Sequence, residues 1–252
     1  MSPGTFSASD ALCAVALCGA FGVTPAQAAA TLAHTPVQGR FEVVEGLPGR
    51  TFIVDYSHNG LALTSALKTL RAYNPHRLLC VFGSVGGRTQ VRRKELADAS
   101  SAYADYTIIT SDNPDNEPPE DVIRDIAGHM APGAPYTCIT DRREAIYAAV
   151  KMAEPGDIVL FAGKGHEDYQ LINGKKLHFV EREIIKEACA EISKLKQRPT
   201  LREIRSVGRC CVVGAGHARP AACMADGFCR KAAGRTCAAP TVLRDFYCVS
   251  QW

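Results

Sequence analysis

From residue 51 to residue 195, short apolar runs alternate with longer stretches whose apolar residues recur at helical spacing. The apolar runs are predicted to be strands over 51–56, 78–82, 106–110, 136–139 and 158–162. The other stretches are predicted to be helices over 61–73, 92–104, 120–130, 142–153 and 181–195. Because strands that alternate with helices lie side by side in one sheet, the predicted fold class is α/β. Its sheet should be mostly parallel and covered by helices on both faces.

Two turns and two helices are expected outside this alternation. A strand over 41–45 should precede the first of the five strands across a Gly-Leu-Pro-Gly turn. The stretch 169–179 should form a hairpin that turns at Asn173-Gly174, because this dipeptide favours tight hairpin turns. Near the start, Ser9 is predicted to cap a helix over 10–20, and Thr24-Pro25 to begin a second one.

Composition divides the chain near residue 196. Residues 196–252 hold ten Lys or Arg and three Asp or Glu, so their formal charge is +7, whereas that of residues 1–195 is −4. This segment also holds six of the eleven cysteines and shows no sustained helical or strand period. We predict that it is a disordered tail foreign to the domain. Because it has few aromatic residues, no nucleic-acid partner is expected.

The first thirty residues do not predict secretion. Residues 11–23 are apolar, and Ala26-Gln27-Ala28 resembles a signal-peptidase site, but the first ten residues contain Asp10 and no Lys or Arg. No stretch is long enough to span a membrane. The sequence contains no Cys-x-x-Cys pair, so it predicts no metal site. We therefore expect a cytoplasmic protein without a membrane partner.

Polar loops follow four predicted strands at the carboxyl ends, where open α/β sheets bind ligands. They cover residues 55–60, 83–94, 111–115 and 163–170. In the last loop, Glu167 offers a carboxylate to an ammonium, and Lys164 offers a cation to a carboxylate or phosphate. Each loop alone is also compatible with a solvated turn, but four at corresponding strand ends favour a binding cleft. No Walker A pattern is present, so the chain should not cradle a triphosphate by itself.

Several of these loops resemble those of the Mur ligases. The resemblance lies in residues 36–42, 54–58, 112–114 and 162–170, the last of which read Ala-Gly-Lys-Gly-His-Glu-Asp-Tyr-Gln. They are most similar to the family members that add the third residue of the peptidoglycan stem peptide. The resemblance implies a helical remnant of the central ATPase domain over 1–38. It also implies a complete, Rossmann-like C-terminal domain over 39–195.

The resemblance implies an ATP-dependent acid–amino-acid ligase of peptidoglycan synthesis. In this family, ATP and Mg²⁺ convert the terminal carboxylate of UDP-N-acetylmuramoyl-L-alanyl-D-glutamate into an acyl phosphate, which the amine of a diamino acid attacks. ATP and Mg²⁺ would bind mainly to the central domain, so the chain alone is expected to be inactive and to contribute no catalytic residue. The alternative is a non-catalytic module that binds an amino acid or a nucleotide, and the oligomeric state stays open.

The resemblance also implies which residues bind ligands. Carried over by position, the diamino-acid site would consist of Arg88, Asp112, Asn113, Pro114, Asp115, Gly163 and Glu167. In that site, Arg88 would pair with a carboxylate of the diamino acid and Glu167 with an ammonium. The residues expected to face the nucleotide are Asp55, His58 and Arg40.

Asp115 departs from the family pattern. Family members that use meso-diaminopimelate have arginine after Asp-Asn-Pro, where its guanidinium binds the distal carboxylate. A carboxylate at this position suits the distal ammonium of lysine, unless another cation of the chain takes the place of the arginine. The charge of Asp115 therefore favours lysine as the diamino acid and leaves meso-diaminopimelate open.

Overall fold

A computed structural model of the protein describes residues 5–33, 37–87 and 90–197. Within these ranges, one sheet contains six strands in the order β1-β2-β6-β3-β4-β5. The strands are β1 (Glu42–Val44), β2 (Thr51–Asp55), β3 (Leu78–Phe82), β4 (Tyr106–Ile109), β5 (Tyr136–Cys138) and β6 (Ile158–Ala162). All neighbours pair in parallel except β1, which is antiparallel to β2 at one edge.

The described ranges also contain seven helices and a separate hairpin. The helices are α1 (Thr5–Gly19), α2 (Pro25–Ala33), α3 (Gly60–Arg71), α4 (Gln90–Tyr103), α5 (Pro119–Gly128), α6 (Arg142–Met152) and α7 (Glu181–Gln197). The hairpin consists of β7 (Tyr169–Ile172) and β8 (Lys175–His178). Its turn residues Asn173 and Gly174 have φ values of 50° and 70°, so the predicted Asn-Gly turn is confirmed.

The predicted α/β class with a mostly parallel sheet is confirmed. Strands β3 and β6 have the predicted bounds, and the other elements of the alternation begin and end within two residues of the prediction. The prediction for α1 was wrong at its start, because the helix begins at Thr5 and contains Ser9, which therefore does not cap it. No glycine or proline lies between Thr5 and Cys18 to stop the helix from extending.

A separate layer of helices covers each face of the sheet. On one face, α3, α4 and α5 bury Leu67 and Leu96 against sheet residues such as Leu160. On the other face, α6 and α7 bury Ile146 and other apolar side chains against Phe161. Every residue of β3 and β6 is buried, as is typical of central parallel strands. Each fully buried Val, Leu, Ile or Phe side chain of these strands contributes about 1.5–3 kcal/mol.

A buried carboxylate connects loops at the amino-terminal ends of the strands, opposite the predicted cleft. Asp157 precedes β6, and its Oδ2 accepts hydrogen bonds from Arg77 Nη2 at 2.6 Å and from the Glu154 amide at 2.8 Å. Its Oδ1 lies 3.0 Å from His76 Nδ1. Burial alone would raise the pKa of Asp157, but the hydrogen bonds from Arg77, the Glu154 amide and His76 together lower it.

The remaining expectations concern the start and the end of the chain. Thr24 and Gln27 cap α2 reciprocally: the Gln27 side chain accepts from the Thr24 amide at 2.9 Å, as expected for a helix that begins there. Helix α7 continues to Gln197, and the rest of the tail predicted to be disordered lies outside the described residues. Within the described ranges, no helix has both the length and the apolar composition needed to cross a bilayer.

Candidate functional site

The loops after β4 and β6 meet around the side chain of Lys164, which is completely buried. Its Nζ donates to Asn113 Oδ1 at 3.0 Å and to Glu167 Oε2 at 2.9 Å, and lies 3.5 Å from Asp112 Oδ1. Asn113 Nδ2 also donates to Glu167 Oε2 at 2.9 Å. The structure thus brings together three residues of the predicted site. Lys164 was not assigned to that site, although its place between Gly163 and Gly165 could have indicated it.

Gly163 allows these loops to approach each other. Its φ is +115°, a value that side-chain-bearing residues rarely adopt. A Cβ atom at this position would lie 3.0 Å from Asp112 Oδ2. A larger residue would therefore strain the backbone and push the Asp112 carboxylate away from the loop.

The β7–β8 hairpin is attached to the loop after β4. Gln170 Nε2 donates to Ser111 Oγ at 2.9 Å and to the Asp112 carbonyl at 2.8 Å. Asn113 Oδ1 accepts from the Leu171 amide at 2.9 Å. The amide and carboxamide groups of the hairpin therefore hold the residues that contact Lys164. Pro114 is buried in the same loop.

Asp115 stabilises the turn of the hairpin. Its φ is +51°, its amide donates to the Leu171 carbonyl at 3.0 Å, and its carbonyl accepts from the Asn173 amide at 2.7 Å. Its carboxylate accepts from the Gly174 amide at 3.0 Å. One carboxylate oxygen is therefore engaged by the chain itself, a structural role that the sequence pattern did not indicate.

Arg88, which was predicted to bind a carboxylate, lies outside the described residues. The residue before it, Gly87, donates its amide to Glu117 Oε2 at 2.8 Å. The same oxygen accepts from Arg93 Nη2 at 2.7 Å. The hydrogen bond from Arg93, followed by that from the Gly87 amide, lowers the pKa of Glu117. This carboxylate therefore anchors the described part of the loop after β3.

A second buried cation lies beneath the site. Arg142, at the start of α6, has no exposed side-chain surface and pairs with Glu181 Oε1 at 2.9 Å. Its Nη1 donates to the carbonyl of Ser111 at 3.1 Å, and its Nη2 donates to the carbonyl of Ala162 at 2.8 Å. Burial raises the pKa of Glu181 despite the opposing charge of Arg142. Two successive arginines in the first turn of a helix give no sequence signal that one of them is buried.

Formal charges make the site slightly acidic. Asp112, Glu167 and Glu181 carry three negative charges, and Lys164 and Arg142 carry two positive ones, so these five groups sum to −1. Burial and then the charges of Glu167 and Asp112 raise the pKa of Tyr56, which also borders the site. An acidic cluster with fixed hydrogen-bond acceptors can bind an ammonium group.

Arg40 and Asp55, two of the three residues predicted to face the nucleotide, line a cavity of about 690 Å³ beside α1. His58, the third, is not among the residues that line this cavity, and its ring packs against Tyr56 with centroids 4.7 Å apart. The Arg40 guanidinium lies over the same tyrosine, 4.8 Å from the ring centroid. Of the three residues predicted to face the nucleotide, two thus line the cavity and the third contacts Tyr56.

The carboxylate of Asp55 is engaged by its own chain. Asp55 Oδ1 accepts from the Phe41 amide at 3.0 Å, and Oδ2 accepts from the Ser57 amide at 3.1 Å and from the Ser57 hydroxyl. Asp55 therefore holds the backbone of Phe41 against the carboxyl end of β2. This structural contribution is additional to its position on the cavity wall.

Comparisons with known proteins confirm the resemblance to the Mur ligases. The family described as "Mur ligase, glutamate ligase domain" matches residues 39–165. A UDP-N-acetylmuramoyl-L-alanyl-D-glutamate–2,6-diaminopimelate ligase from Caldanaerobacter subterraneus subsp. tengcongensis is 40% identical over 195 residues, 76% of this chain and 40% of the relative. The ligase of the same name from Geobacillus thermodenitrificans is 41% identical over 190 residues, 75% of this chain and 39% of the relative.

A solved structure with the same ligase name superposes with a TM-score of 0.61 at 34% identity, covering 77% of this chain and 40% of the other. The chain thus spans about 40% of the length of the relatives that it matches. The family match covers half of the chain and includes Asp112, Asn113 and Lys164 of the cluster, but it ends two residues before Glu167. The chain therefore belongs to the Mur ligase family, of which it contains the glutamate ligase domain.

Proposed function

We propose that this chain provides the amino-acid-binding module of an ATP-dependent ligase of peptidoglycan synthesis. The ligase would add a diamino acid to UDP-N-acetylmuramoyl-L-alanyl-D-glutamate. The observation that carries the proposal is the acidic cluster in which Lys164 contacts Asp112, Asn113 and Glu167 within 3.5 Å. Residues 1–38 would belong to the end of the central domain, and residues 39–195 would form the C-terminal domain. The names of the relatives support the reaction.

Charge and geometry suit the cluster to one ammonium of a diamino acid. Lys164 compensates one of the two carboxylates, and the other remains for a cation supplied by the ligand. The Glu167 side chain is 15% exposed, whereas the Lys164 side chain has no exposed surface. A ligand can therefore reach Glu167, while Lys164 remains beneath it. In the proposed reaction, holding the diamino acid in this way orients its second amine to attack an acyl phosphate that forms with ATP.

We propose meso-diaminopimelate as the diamino acid, in place of the lysine that the charge of Asp115 favours. Two observations support this choice. One oxygen of the Asp115 carboxylate accepts a hydrogen bond from Gly174 and holds the hairpin turn, so it is not simply available to a lysine ammonium. In addition, the compared relatives are named for diaminopimelate.

ATP and Mg²⁺ would be held mainly by parts of the ligase that this chain does not contain. Arg40 and Asn59 line the cavity beside α1, where they would face one side of a nucleotide. Among the described residues, no group of three potential metal ligands is present. Such a contact of Arg40 and Asn59 would fit a domain that closes over a nucleotide held elsewhere. The use of ATP and a UDP-linked substrate supports a cytoplasmic location.

Calorimetric titration of the complete chain tests the module. We expect saturable binding of meso-diaminopimelate and none of pimelate, which has the same carboxylates but no amine. Glu167→Gln should weaken binding by about tenfold or more, since hydrogen bonds to charged groups contribute roughly 1.5–3 kcal/mol. Glu187→Gln, on the exposed side of α7, is the matched control. Equal binding of pimelate, or undiminished binding by Glu167→Gln, would contradict the proposal.

A fusion protein can distinguish the proposed ligase function from the alternative, a module that only binds an amino acid. The preceding 60% or so of the Caldanaerobacter relative, joined to this chain, should release phosphate from ATP only when both UDP-linked dipeptide and meso-diaminopimelate are present. The relative's own complete sequence is the positive control. Binding of meso-diaminopimelate without turnover by a folded fusion would favour the non-catalytic binding module.

A further inference from the structure

Arg142 connects the two halves of the candidate site from below. It donates to the carbonyl of Ser111, which directly precedes Asp112, and to the carbonyl of Ala162, which directly precedes Gly163. Its Nε donates to Glu181 Oε1 at the start of α7. These hydrogen bonds involve neither the Lys164 ammonium nor the Glu167 carboxylate, although the charge of Arg142 also acts on Asp112 and Glu167.

The strand order gives these contacts their significance. Strand β3 lies between β4 and β6, so no ladder hydrogen bond joins the two strands that carry the site loops. The distance between the ends of these strands therefore depends on β3 and on groups that reach past it. The guanidinium spans this gap because its donors diverge in a fixed plane, which a lysine ammonium cannot reproduce.

Stability alone does not account for this buried ion pair. Buried ion pairs are often no more stabilising than apolar residues of the same volume, because desolvation offsets the attraction. Here the desolvation cost is not fully compensated, since Glu181 Oε2 is buried and has no hydrogen-bond partner among the described residues. Two carbonyls of the backbone are nevertheless held in place, which is a geometric effect.

We propose that Arg142 is a positioning residue that sets the separation between the Asp112–Asn113 loop and the Gly163–Glu167 loop, and that Glu181 orients it. The ligand contacts the loops and not the guanidinium. The inference rests on the proposed function, because it deepens the account of the same amino-acid site. It assigns part of the ligand affinity to a residue with no exposed side-chain surface.

The test compares two arginine–carboxylate pairs that lie near opposite ends of strand β6. Arg142→Lys keeps the charge but loses the planar arrangement of donors. Arg77→Lys is the matched control. Arg77 pairs with Asp157, which directly precedes β6, and also donates to the carbonyl of Met152. Affinity for meso-diaminopimelate is measured by calorimetry, and the midpoint of thermal unfolding is measured for each variant.

We expect Arg142→Lys to lose about tenfold or more in affinity, which corresponds to one or two charged hydrogen bonds, while Arg77→Lys stays within about twofold. Glu181→Gln should give an intermediate loss. Affinity of Arg142→Lys within twofold of the unchanged chain overturns the inference. The inference is also overturned if both arginine variants lose affinity in proportion to the fall in their unfolding midpoints.

A second measurement separates this inference from the proposed function. If the unchanged chain does not bind meso-diaminopimelate, the proposed function fails, but positioning can still be read from the side-chain amide resonances of Asn113. Arg142→Lys should shift these resonances and accelerate hydrogen exchange at Leu171, whose amide donates to Asn113, and Arg77→Lys should do neither. Unchanged Asn113 resonances in Arg142→Lys would overturn the inference on their own.

Discussion

Gly39 lies so close to His166 that a Cβ atom on Gly39 would be 2.1 Å from the His166 amide nitrogen. The contact is mutual, since a Cβ on Gly165 would be 2.7 Å from the Gly39 carbonyl oxygen. The segment that enters the domain therefore packs backbone to backbone on the loop that carries Lys164 and Glu167. A displacement of one segment must displace the other.

Gly39→Ala should destabilise the domain more than its backbone angle alone explains. Gly39 has a φ of +67°, and an alanine there costs about 1–3 kcal/mol before the clash with His166 is counted. Gly133→Ala is the matched control, because Gly133 has a φ of +83° but a Cβ atom on it would meet no atom within 4 Å. Urea unfolding of both variants gives the difference. Equal losses of unfolding free energy would show that the contact is unimportant.

Lys164→Met should be among the most destabilising single changes in the domain. Without the ammonium, the largely buried carboxylates of Asp112 and Glu167 lose the cation that both of them contact. Removing one partner of a buried ion pair costs about 3–5 kcal/mol. Chemical denaturation measures this loss, and Lys151→Met on the exposed side of α6 is the control. A loss below about 1 kcal/mol would mean that the carboxylates relax into solvent.

Asp115→Asn should leave the preference for the diamino acid unchanged. An asparagine side chain tolerates positive φ, and its carbonyl oxygen can still accept from the Gly174 amide. Asp115→Ala loses both properties and should reduce the unfolding free energy by about 1–3 kcal/mol. Calorimetric titration of the Asn variant with lysine and with meso-diaminopimelate checks the preference. A selective fall in lysine affinity would instead restore Asp115 as a ligand-binding group.

The lowered pKa of Asp157 predicts how the free energy of unfolding depends on pH. Its pKa is lowered in the folded protein, chiefly because hydrogen bonds from Arg77 and the Glu154 amide outweigh the cost of burial. The folded state therefore holds the ionised form more strongly than the unfolded state, whose pKa is about 3.9. The resulting stability is present above that value and is lost as the pH falls through the folded pKa.

Urea unfolding between about pH 7 and pH 3 of the unchanged chain and of Asp157→Asn checks this prediction. The difference in unfolding free energy should be largest near neutral pH and should shrink below about pH 4. Asp98→Asn, which changes a pair on the exposed side of α4, should alter stability little at any pH. A difference for Asp157→Asn that stays constant with pH would contradict the assignment.

Local patterns in the sequence determined the elements of this domain. Short apolar runs predicted the bounds of β3 and β6, because a buried central strand must be apolar on both faces. The Asn173-Gly174 turn was predictable for the same kind of reason, since positive φ at two successive residues is a property of those residues. The position of polar loops at the carboxyl ends of the strands followed from the parallel alternation.

Only the tertiary structure decided which of these groups meet and which are buried. Lys164 and Arg142 are polar residues beside a turn and a helix start, where most such side chains are solvated, yet both are completely buried. Their burial depends on β3 lying between β4 and β6 and on α7 supplying Glu181, relations between residues far apart in the chain. Capture of the Asp115 carboxylate by Gly174 is equally long-range. Periodicity and turn chemistry act over a few residues, so they cannot specify such contacts.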